Sequence, residues 1–477
     1  GLGGDAFWLI YTAATGQVHG LNGSGRAAQA ATPTWYQQAG YTTIPPRGAL
    51  AAITVPGAVD SWAQAQMRFG RLTAKEVLAR AIAYATEGYP VTGSQVHWTR
   101  QDEAILRAHA PSAAAFLPHG VIPAAGATLR QPHLAQTLQT LADEGYGAFY
   151  DTIGTAIATA VQAAAGLLTP ADFQAHTSTW VDPIQTTYRG RTVLELPPNT
   201  QGLAVLQILN LIEAFDLAAI GHGTADYYHL IIEATKLAFA DRDRWVTDPE
   251  CLDIPLAQLL GKDYAAGRRS RLDMTQAQPV EPGIGGGDTT YSAVVDAEGN
   301  AVSMIQSLYF DFGSGFVAGD TGVLMQNRGS FFSLANGHIN QLEPGKRSFH
   351  TLIPALVLNS AGQPELVLGT MGGEGQPQTQ IALITRLLDF GFDPQTAIDL
   401  PRWLYGRTWG EDATGVALEG RIPANIQADL ESRGHEVRRL PDWSAQLGHA
   451  HVIRIDPTSG DYQGGCDPRS DGAALGW

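Results

Sequence analysis

Cysteine is scarce in this chain: Cys251 and Cys466 are the two cysteines among 477 residues. They lie far apart and outside any C-x-x-C pattern, so the sequence indicates neither a disulfide framework nor a cysteine metal site. We interpret both as free, buried thiols. Long apolar runs are missing as well, because no stretch reaches the roughly 18 to 20 residues of a membrane-spanning helix and no basic-then-apolar leader opens the chain. We therefore expect no membrane partner, and the sequence indicates no particular cellular compartment.

Positive charge is also in short supply. The chain has 30 Lys and Arg against 46 Asp and Glu, a formal net charge of -16, which opposes binding to nucleic acid. A small-molecule substrate is the partner that this balance favours. With 44% hydrophobic and 16% charged residues, the composition is that of an ordinary globular protein with a sizeable core.

Secondary-structure signals divide the first half of the chain into one early strand and a series of helices. Residues 7–11 (FWLIY) predict a strand, and residues 22–26 predict a loop. Thr73 and Glu76 form a T-x-x-E capping box, and the helix that they begin suits an end at Gly88. Its apolar face is predicted from Val77, Leu78, Ala81, Ile82 and Ala85. Further helices are predicted after Thr169-Pro170 and over residues 203–215 and 225–240.

The residue pattern of the chain changes near residue 288. Residues 274–288 contain two prolines and four glycines without apolar periodicity, which predicts a linker or loop. Alternating apolar positions then predict a β-hairpin that begins at Thr289 or Thr290. Further on, a strand at residues 365–368 leads through GTMGGEG into a helix over residues 378–388, which puts glycine N–H groups at a helix start.

These signals assemble into the parts of an amidase, which needs an activated nucleophile, a base and oxyanion donors. A threonine hydroxyl is inert without a base, and the α-amine of Thr289, with a reference pKa of about 7.7 to 8.0, becomes that base once the chain is cut after Asp288. The glycines before Asp288 would let its carbonyl approach the Thr289 hydroxyl, which predicts self-cleavage. Gly372 and Gly373 are the candidate oxyanion donors. Taken alone, each pattern also has a simpler interpretation. The glycine-rich stretch before Thr289 also fits a plain loop, and the GTMGGEG stretch also fits a tight β-to-α turn.

Longer segments of the chain resemble the γ-glutamyltransferase family of N-terminal-nucleophile hydrolases. The resemblance covers nearly the whole chain in seven ordered segments: GLGGDAFWLI at the start, LPPNTQGLAVLQILNLIEAFDL at 196–217, AFADRDRWVTDP at 238–249, GDTTYSAVVDAEGNAVSMIQS at 287–307, GSGFVAGDTGVLMQNR at 313–328, PGKRSFHTLIPA at 344–355 and CDPRSDGAALGW at the end.

The resemblance implies an α+β fold, the αββα sandwich of N-terminal-nucleophile hydrolases, and a proenzyme cut into two subunits. Residues 1–288 would form the large-subunit part and residues 289–477 the small-subunit part of one intertwined domain. It implies that Thr289 is the nucleophile, that Ser307 supports it where relatives have a threonine, and that Gly372 and Gly373 form the oxyanion hole.

The substrate-binding positions depart from the family pattern. The arginine that binds the glutamyl α-carboxylate normally lies in a stretch matched here by residues 21–25, and Arg26 is the candidate substitute. An aspartate that receives the α-amino group is matched by Phe331, and a neighbouring asparagine by Tyr309. His350 and Thr351 replace a serine pair. We assign these residues, together with Arg328, to substrate binding.

Two further expectations follow from the resemblance. Only the 13 residues 333–345 separate Phe332 from Lys346, too few for the lid loop of many relatives, so we expect an open site in which water competes well for the acyl-enzyme. The chain begins where relatives already have an upstream helical segment, so we expect part of the large subunit to precede residue 1.

Other signals are interpreted without special function. His449 and His451 form an H-x-H pair, but no third ligand is indicated, so we expect no metal and no cofactor. The run from Asp241 to Arg244 is interpreted as a solvated or inter-subunit salt-bridge patch. The GIGGG stretch at 283–287 lacks the flanking strand and helix of a dinucleotide-binding motif.

The leading hypothesis is an autoprocessing threonine hydrolase of γ-glutamyl amides such as glutathione, with hydrolysis favoured over transfer. The alternative is an acylase for other amides of the glutaryl or cephalosporin type. A third hypothesis is an unprocessed, inactive homologue with a binding role. The partners expected are a small amide or peptide and the protein's own two fragments, with a possible homo-oligomer of heterodimers.

Overall fold

The computed structural model describes residues 1–278, 288–406, 415–456 and 458–477. The predicted linker glycines and the GIGGG stretch lie outside the described residues. The strands in the described part of the chain are β1 (Asp5–Thr12), β2 (Gln17–Gly23), β3 (Tyr89–Pro90), β4 (Thr128–Leu129), β5 (Thr179–Val181), β6 (Ile184–Tyr188), β7 (Arg191–Glu195), β8 (Asp288–Val295), β9 (Ala301–Tyr309), β10 (Ala355–Leu358), β11 (Pro364–Thr370), β12 (Trp403–Tyr405), β13 (Val416–Leu418), β14 (Val437–Arg439), β15 (Ala450–Ile455) and β16 (Tyr462–Cys466).

The α-helices in the same residues are α1 (Pro33–Gln38), α2 (Ala58–Phe69), α3 (Ala74–Glu87), α4 (Gly93–Gln101), α5 (Glu103–Arg107), α6 (Ala110–Phe116), α7 (Pro132–Glu144), α8 (Thr152–Ala163), α9 (Pro170–Gln174), α10 (Gly202–Ile212), α11 (Leu217–Ile220), α12 (Ala225–Trp245), α13 (Leu256–Leu259), α14 (Lys262–Arg269), α15 (Gln376–Leu388), α16 (Pro394–Asp399) and α17 (Ala424–Ser432). In this part of the chain, none of the helices combines the length and the apolar character that crossing a bilayer requires.

Most of the strands in the described residues belong to two larger sheets. The first has the strand order β5-β2-β1-β9-β8, and the second has the order β16-β15-β11-β10-β7-β6. Every neighbouring pair in the second sheet is antiparallel, with Leu356 opposite Leu194 and Gly369 opposite His451 among its registered pairs. The described residues also form two small sheets, β12-β13-β14 and β3-β4.

The chain divides into two compact units, and each takes residues from both sides of the predicted cut after residue 288. The first unit, called unit one here, contains Gly1–Phe7, Leu21–Thr179 and Gln306–Ser348. The second, unit two, contains Trp8–Gly20, Trp180–Ile305 and Phe349–Trp477.

Unit two shows the sandwich packing directly. The Tyr291 ring of β8 lies over Gly369 of β11, where an added Cβ would come within 2.2 Å of the ring, so only glycine permits this approach. The same ring lies parallel to that of His451 on β15, with centroids 6.4 Å apart. On the opposite face of the second sheet, apolar residues of α10, α12 and α15 pack against β10 and β11 in one buried cluster. This layering confirms the expected αββα fold.

The long helices of unit two follow from their sequences. Every residue of α10 is buried, which matches its almost wholly apolar run. At the start of α12, the Thr224 side chain accepts a hydrogen bond from the Tyr227 N–H at 3.2 Å, and the helix continues to Trp245, five residues beyond the predicted end. Because α10 and most of α12 are enclosed, their buried polar side chains need partners inside the protein.

In unit one, both capping signals are confirmed. Thr73 and Glu76 form the capping box of α3, and Thr169 caps α9 with Pro170 in the first turn. The predicted apolar face of α3 is only partly correct, because Val77, 51% exposed, and Ala81 lie at the surface, while Leu78 is buried in the cluster that includes α7 and α8. The exposed positions 77 and 81 are one helical turn apart, next to the buried stripe formed by Leu78 and Ala85.

Two other expectations are corrected. The loop predicted at 22–26 is partly strand, since β2 continues to Gly23. Both cysteines are free as expected, but Cys251 is exposed and Cys466 is half-buried, so the prediction of buried thiols was wrong.

Candidate active site

The predicted nucleophile lies at the beginning of β8 in unit two. The strand starts at Asp288, one or two residues before the predicted hairpin start at Thr289 or Thr290. Thr289 is half-buried, and Thr290 is exposed. Strand alternation explains this order, because Thr289 and the buried Tyr291 are two residues apart. In the continuous chain the Thr289 nitrogen is a peptide amide, so a cut after Asp288 is needed before it can act as a base.

The glycine turn between β11 and α15 has a backbone that only glycine adopts easily. Gly372 and Gly373 have φ values of 126° and 55°, and both are buried. A 3₁₀ turn over Gly373–Gly375 continues into α15, which begins at Gln376, two residues earlier than predicted. The two glycines therefore directly precede a helix start, as the sequence predicted, where N–H groups favour negative charge.

The carbonyl groups of this turn are each held by a hydrogen bond. The Thr370 hydroxyl donates to the Met371 carbonyl at 2.6 Å, and the Gly375 N–H donates to the Gly372 carbonyl at 2.8 Å. The Gly373 carbonyl accepts from Gln201 Nε2 at 2.9 Å. Three consecutive peptide planes are thus fixed through their oxygens.

A buried polar network that the sequence analysis missed continues from Gln201. Its Nε2 also donates to the Thr351 carbonyl at 2.9 Å, and its Oε1 accepts from Arg242 Nη1 at 3.1 Å. Arg242 Nη2 donates to Glu374 Oε2 at 2.7 Å, and its guanidinium carbon lies 3.8 Å from the centre of the Phe239 ring. The network therefore contacts the glycine turn at Gly373 and at the residue that follows it.

Arg242 corrects the solvated half of the interpretation of residues 241–244, whereas its ion pair with Glu374, at 2.7 Å and across the predicted cut, fits the inter-subunit half. Its side chain is 0% exposed. Burial lowers the pKa of the guanidinium, but the nearby carboxylates of Asp243 and Glu374 outweigh this effect and raise the pKa. A usable signal existed in the sequence, because Arg242 lies four residues after Ala238 and so continues the apolar face of α12.

His350 and Thr351 are both buried in unit two, just before β10. The His350 N–H donates to the Asn199 carbonyl at 2.8 Å, and the His350 carbonyl accepts from the Gln201 N–H at 3.1 Å. Their backbone is therefore tied to the segment that carries Gln201.

In unit one, an aromatic and cationic cluster forms around Tyr309. The Arg328 guanidinium carbon lies 4.0 Å from the Tyr309 ring centre, and the Phe331 ring meets the same ring edge-on at 5.7 Å. Phe310 stacks on Tyr309 with centroids 4.5 Å apart. We call Tyr309, Arg328 and Phe331 the aromatic–arginine cluster.

The charge of this cluster is positive at neutral pH. Arg328 is 2% exposed, and its desolvation lowers the pKa of the guanidinium to about 10, which still leaves it protonated. Tyr309 has φ of +85°, a conformation that a non-glycine residue adopts at a cost of roughly 1 to 3 kcal/mol. Strain of this kind concentrates at functional sites, which supports a role for the cluster.

The other predicted residues of unit one are also placed. Ser307 is buried near the end of β9, and its Oγ accepts from the Tyr309 N–H at 2.8 Å. Arg26 is half-buried, and its Nη1 donates to the Gly345 carbonyl at 3.0 Å.

The H-x-H pair does not form one strand segment, because His449 precedes β15 and His451 lies within it. Instead, among the described residues, His229, Glu233 and His435 are the set whose geometry could hold a metal ion. His229 Nε2 donates to the Asp273 carbonyl at 2.7 Å, and its Nδ1 accepts from His435 Nε2 at 2.8 Å.

The charges and hydrogen bonds of this histidine cluster are already compensated without a metal ion. Burial, followed by the charge of Lys236, lowers the pKa of His435 to about 3, so the ring is neutral. The Lys236 ammonium lies 2.7 Å from Glu233 Oε1 and would repel an incoming metal ion. A hydrogen-bonded structural role accounts for these residues.

Comparison with known proteins gives consistent matches along the chain. The sequence profile described as Gamma-glutamyltranspeptidase matches residues 1–477. The chain is 46% identical over 477 residues to a glutathione hydrolase-like proenzyme of Bacillus subtilis (strain 168), with 100% of this chain and 90% of the relative covered. It is 42% identical over 484 residues to the oxamate amidohydrolase proenzyme of Klebsiella pneumoniae, with coverage of 100% and 90%. Among solved structures, the cephalosporin acylase from Bacillus halodurans has a TM-score of 0.92 and 38% identity, covering 100% of this chain and 88% of that one.

Proposed function

The chain belongs to the γ-glutamyltranspeptidase family of N-terminal-nucleophile amidohydrolases, and we propose that it cleaves itself between Asp288 and Thr289 and then hydrolyses small amides through Thr289. The names of both curated relatives as proenzymes support the processing step. Residues 1–288 and 289–477 would then be its two subunits.

In the proposed self-cleavage, the Thr289 hydroxyl attacks the Asp288 carbonyl carbon. The peptide C–N bond breaks, an ester forms, and the nitrogen leaves as the free α-amine. Water then hydrolyses the ester to give the carboxylate of Asp288 and the mature Thr289. An α-amine with a pKa of about 7.7 to 8.0 is partly unprotonated at neutral pH, so it can serve as the base.

In the proposed amide hydrolysis, the α-amine takes the Thr289 hydroxyl proton while the oxygen attacks the substrate carbonyl. The same proton passes to the leaving nitrogen as the C–N bond breaks, which leaves an acyl ester. Water cleaves this ester and regenerates the enzyme. The N–H groups of Gly372 and Gly373 would stabilise the oxyanion of both tetrahedral intermediates, an effect that typically contributes roughly 10²- to 10³-fold per donor.

For the acyl donor, we propose an amide whose acyl group carries a carboxylate and needs no α-ammonium. The observation that carries this choice is the aromatic–arginine cluster, where the family pattern has hydrogen-bond acceptors. The Phe331 ring cannot accept a hydrogen bond from an ammonium, and Arg328 is a buried cation. If a substrate charge binds about 6 Å from Arg328, an effective dielectric constant of about 20 gives an interaction of about 3 kcal/mol, which would repel an ammonium and attract a carboxylate.

The names of the relatives are compatible with this choice. The structure with a TM-score of 0.92 is a cephalosporin acylase, and the curated relative with 42% identity is an oxamate amidohydrolase, whose substrate is a carboxylate next to an amide. γ-Glutamyl amides such as glutathione are the second candidate, favoured by the name of the glutathione hydrolase-like relative.

The two candidates are separated by substrates that differ only in the α-ammonium group. Glutaryl-p-nitroanilide and γ-glutamyl-p-nitroanilide are compared at equal concentration with the cleaved protein. We expect kcat/KM for the glutaryl substrate to be at least about tenfold higher. A preference for the γ-glutamyl substrate would establish the second candidate, and an uncleaved chain that hydrolyses neither would indicate a binding protein.

A further inference from the structure

We propose that Gln201, Arg242 and Glu374 act as a buried positioning relay that fixes the C-terminal side of Gly373 and so restrains the glycine turn that carries the Gly372 and Gly373 N–H groups. The inference rests on the proposed function, in which Gly372 and Gly373 supply the oxyanion donors. None of the three relay residues would touch the substrate, so their role is to orient the groups that do.

The orientation follows from the planarity of the peptide bond. In a trans peptide the C=O and the next N–H point in opposite directions, so a bond to the carbonyl of one residue sets the direction of the N–H of the next. The bond from the Thr370 hydroxyl to the Met371 carbonyl therefore orients the Gly372 N–H. The bond from Gly375 to the Gly372 carbonyl orients the Gly373 N–H in the same way.

Gln201 holds the next plane, between Gly373 and Glu374. Because the planes on both sides of Gly373 are then fixed, this residue cannot rotate, and the direction of its own N–H is restrained. Both Nε2 hydrogens of Gln201 are used, toward the carbonyls of Gly373 and Thr351, each at 2.9 Å. Its Oε1 faces Arg242, which can only donate. A flipped amide would place its NH₂ against a cation and its oxygen against two carbonyls, so the partners permit one orientation.

Arg242 connects this amide to the turn by a second route. Its Nη2 pairs with Glu374, the residue directly after Gly373, at 2.7 Å, and the Glu374 side chain is 4% exposed. The turn is thus held through a main-chain carbonyl and through the adjacent side chain. A planar guanidinium can serve Gln201 and Glu374 together, whereas a lysine ammonium is a compact point charge on a flexible stem.

The first measurement tests positioning without requiring activity. Hydrogen exchange of the peptide spanning residues 371–377 is followed by mass spectrometry in Arg242→Lys and in Arg244→Lys, a matched control because Arg244 is exposed on the same helix. We expect at least about tenfold faster exchange in Arg242→Lys and no change in the control. Unchanged exchange in Arg242→Lys would overturn the relay, whether or not the protein is an amidase.

The second measurement tests the catalytic consequence. For glutaryl-p-nitroanilide we expect Arg242→Lys to lower kcat by about 10- to 100-fold, with KM changed less than about threefold, because the oxyanion exists only in the transition state. Binding of 4-boronobutanoate, whose boron forms a tetrahedral adduct with the Thr289 hydroxyl, should weaken by the same factor. Binding of glutarate, which forms no such adduct, should stay within about threefold of wild type.

A purely structural role predicts different results. It would lower the melting temperature and the active fraction while leaving kcat per active site and boronate affinity unchanged, and that outcome would overturn the proposal. If Arg242→Lys does not fold, Glu374→Ala and Glu374→Gln provide the test instead. We expect Glu374→Ala to lose activity and Glu374→Gln to recover at least half of the wild-type activity. An uncleaved, inactive wild type would overturn the proposed function, and with it the catalytic part of the relay, regardless of the exchange data.

Discussion

Replacing Phe331 by aspartate should shift substrate preference toward γ-glutamyl amides. The family resemblance matches Phe331 to an aspartate that receives the α-amino group, and the Phe331 ring packs against Tyr309 at 5.7 Å. In Phe331→Asp, a carboxylate becomes available to the α-ammonium of γ-glutamyl-p-nitroanilide. Glutaryl-p-nitroanilide lacks that ammonium and gains nothing.

The expected size of the effect follows from the cluster. A hydrogen bond to a charged group contributes about 1.5 to 3 kcal/mol, which corresponds to about 10- to 100-fold in kcat/KM. Arg328 lies over the same Tyr309 ring at 4.0 Å and would compete for the new carboxylate. We therefore expect the lower end, about a tenfold rise in the ratio of γ-glutamyl to glutaryl kcat/KM.

The assay compares wild type, Phe331→Asp and Phe331→Asn with both anilides. The Asn variant removes the same buried ring but offers only a neutral acceptor, worth about 0.5 to 1.5 kcal/mol, so its ratio should rise by less than about tenfold. Because a ratio of two substrates on one enzyme cancels any loss of folded protein, the cavity left by the ring does not confuse the result. A folded Asp variant with an unchanged ratio would refute the assignment of Phe331 to the acyl-binding site.

Three further predictions concern the nucleophile, a buried acid and a close contact. Thr289→Ala should remain a single chain on denaturing electrophoresis, while Thr289→Ser should still be cut; a split Ala variant would exclude self-cleavage by this residue. Burial raises the pKa of Glu195 well above its ordinary value, and its carboxyl oxygens have no hydrogen-bond partner among the described residues. The folded state therefore keeps a proton that the unfolded chain releases above about pH 4.3, so stability falls as pH rises, and Glu195→Gln should raise the melting temperature more at pH 8 than at pH 4. An equal shift at both pH values would contradict this. Gly369→Ala should lower the free energy of unfolding by at least about 1 to 3 kcal/mol, because its Cβ would overlap the Tyr291 ring. Both variants are measured by denaturant unfolding, with Gly267→Ala as the control. An added Cβ at Gly267 meets open space and the residue lies within a helix, so this variant should raise the free energy of unfolding by about 0.5 to 1 kcal/mol.

Predictions from local sequence signals were confirmed where the residues of one short stretch determine the structure. The capping box at Thr73, the helix start at Thr169-Pro170 and the hairpin after Asp288 all formed, because each depends on side chains within a few residues of one another. The glycine turn before α15 was also predictable, since two residues with positive φ in sequence require glycine. Val77 shows the limit of such patterns, because helical periodicity defines an apolar stripe only to within one position at its edge.

The candidate site was predicted unevenly. Thr289, Ser307 and the glycines at 372 and 373 came from patterns and from resemblance to a family, and their catalytic roles stay predictions. The sequence at the substrate-binding positions indicated which hydrogen-bonding residues of the family pattern are replaced in this chain. It did not indicate that Tyr309, Arg328 and Phe331 pack together. That cluster depends on contacts between residues up to 22 positions apart on a strand end and a following turn.

The sequence alone determined the family and the strand-to-helix glycine turn, and it indicated a single threonine as the candidate nucleophile, because these reside in short motifs with fixed spacing. The tertiary structure alone decided that Arg242 is buried and that Gln201 binds the turn. The bond from Gln201 to Gly373 spans 172 positions and that from Arg242 to Glu374 spans 132, and no local periodicity encodes which distant polar groups a buried side chain will meet. A charged run on a helix is solvated or buried according to what packs on that face, and only the assembled core supplies that neighbour.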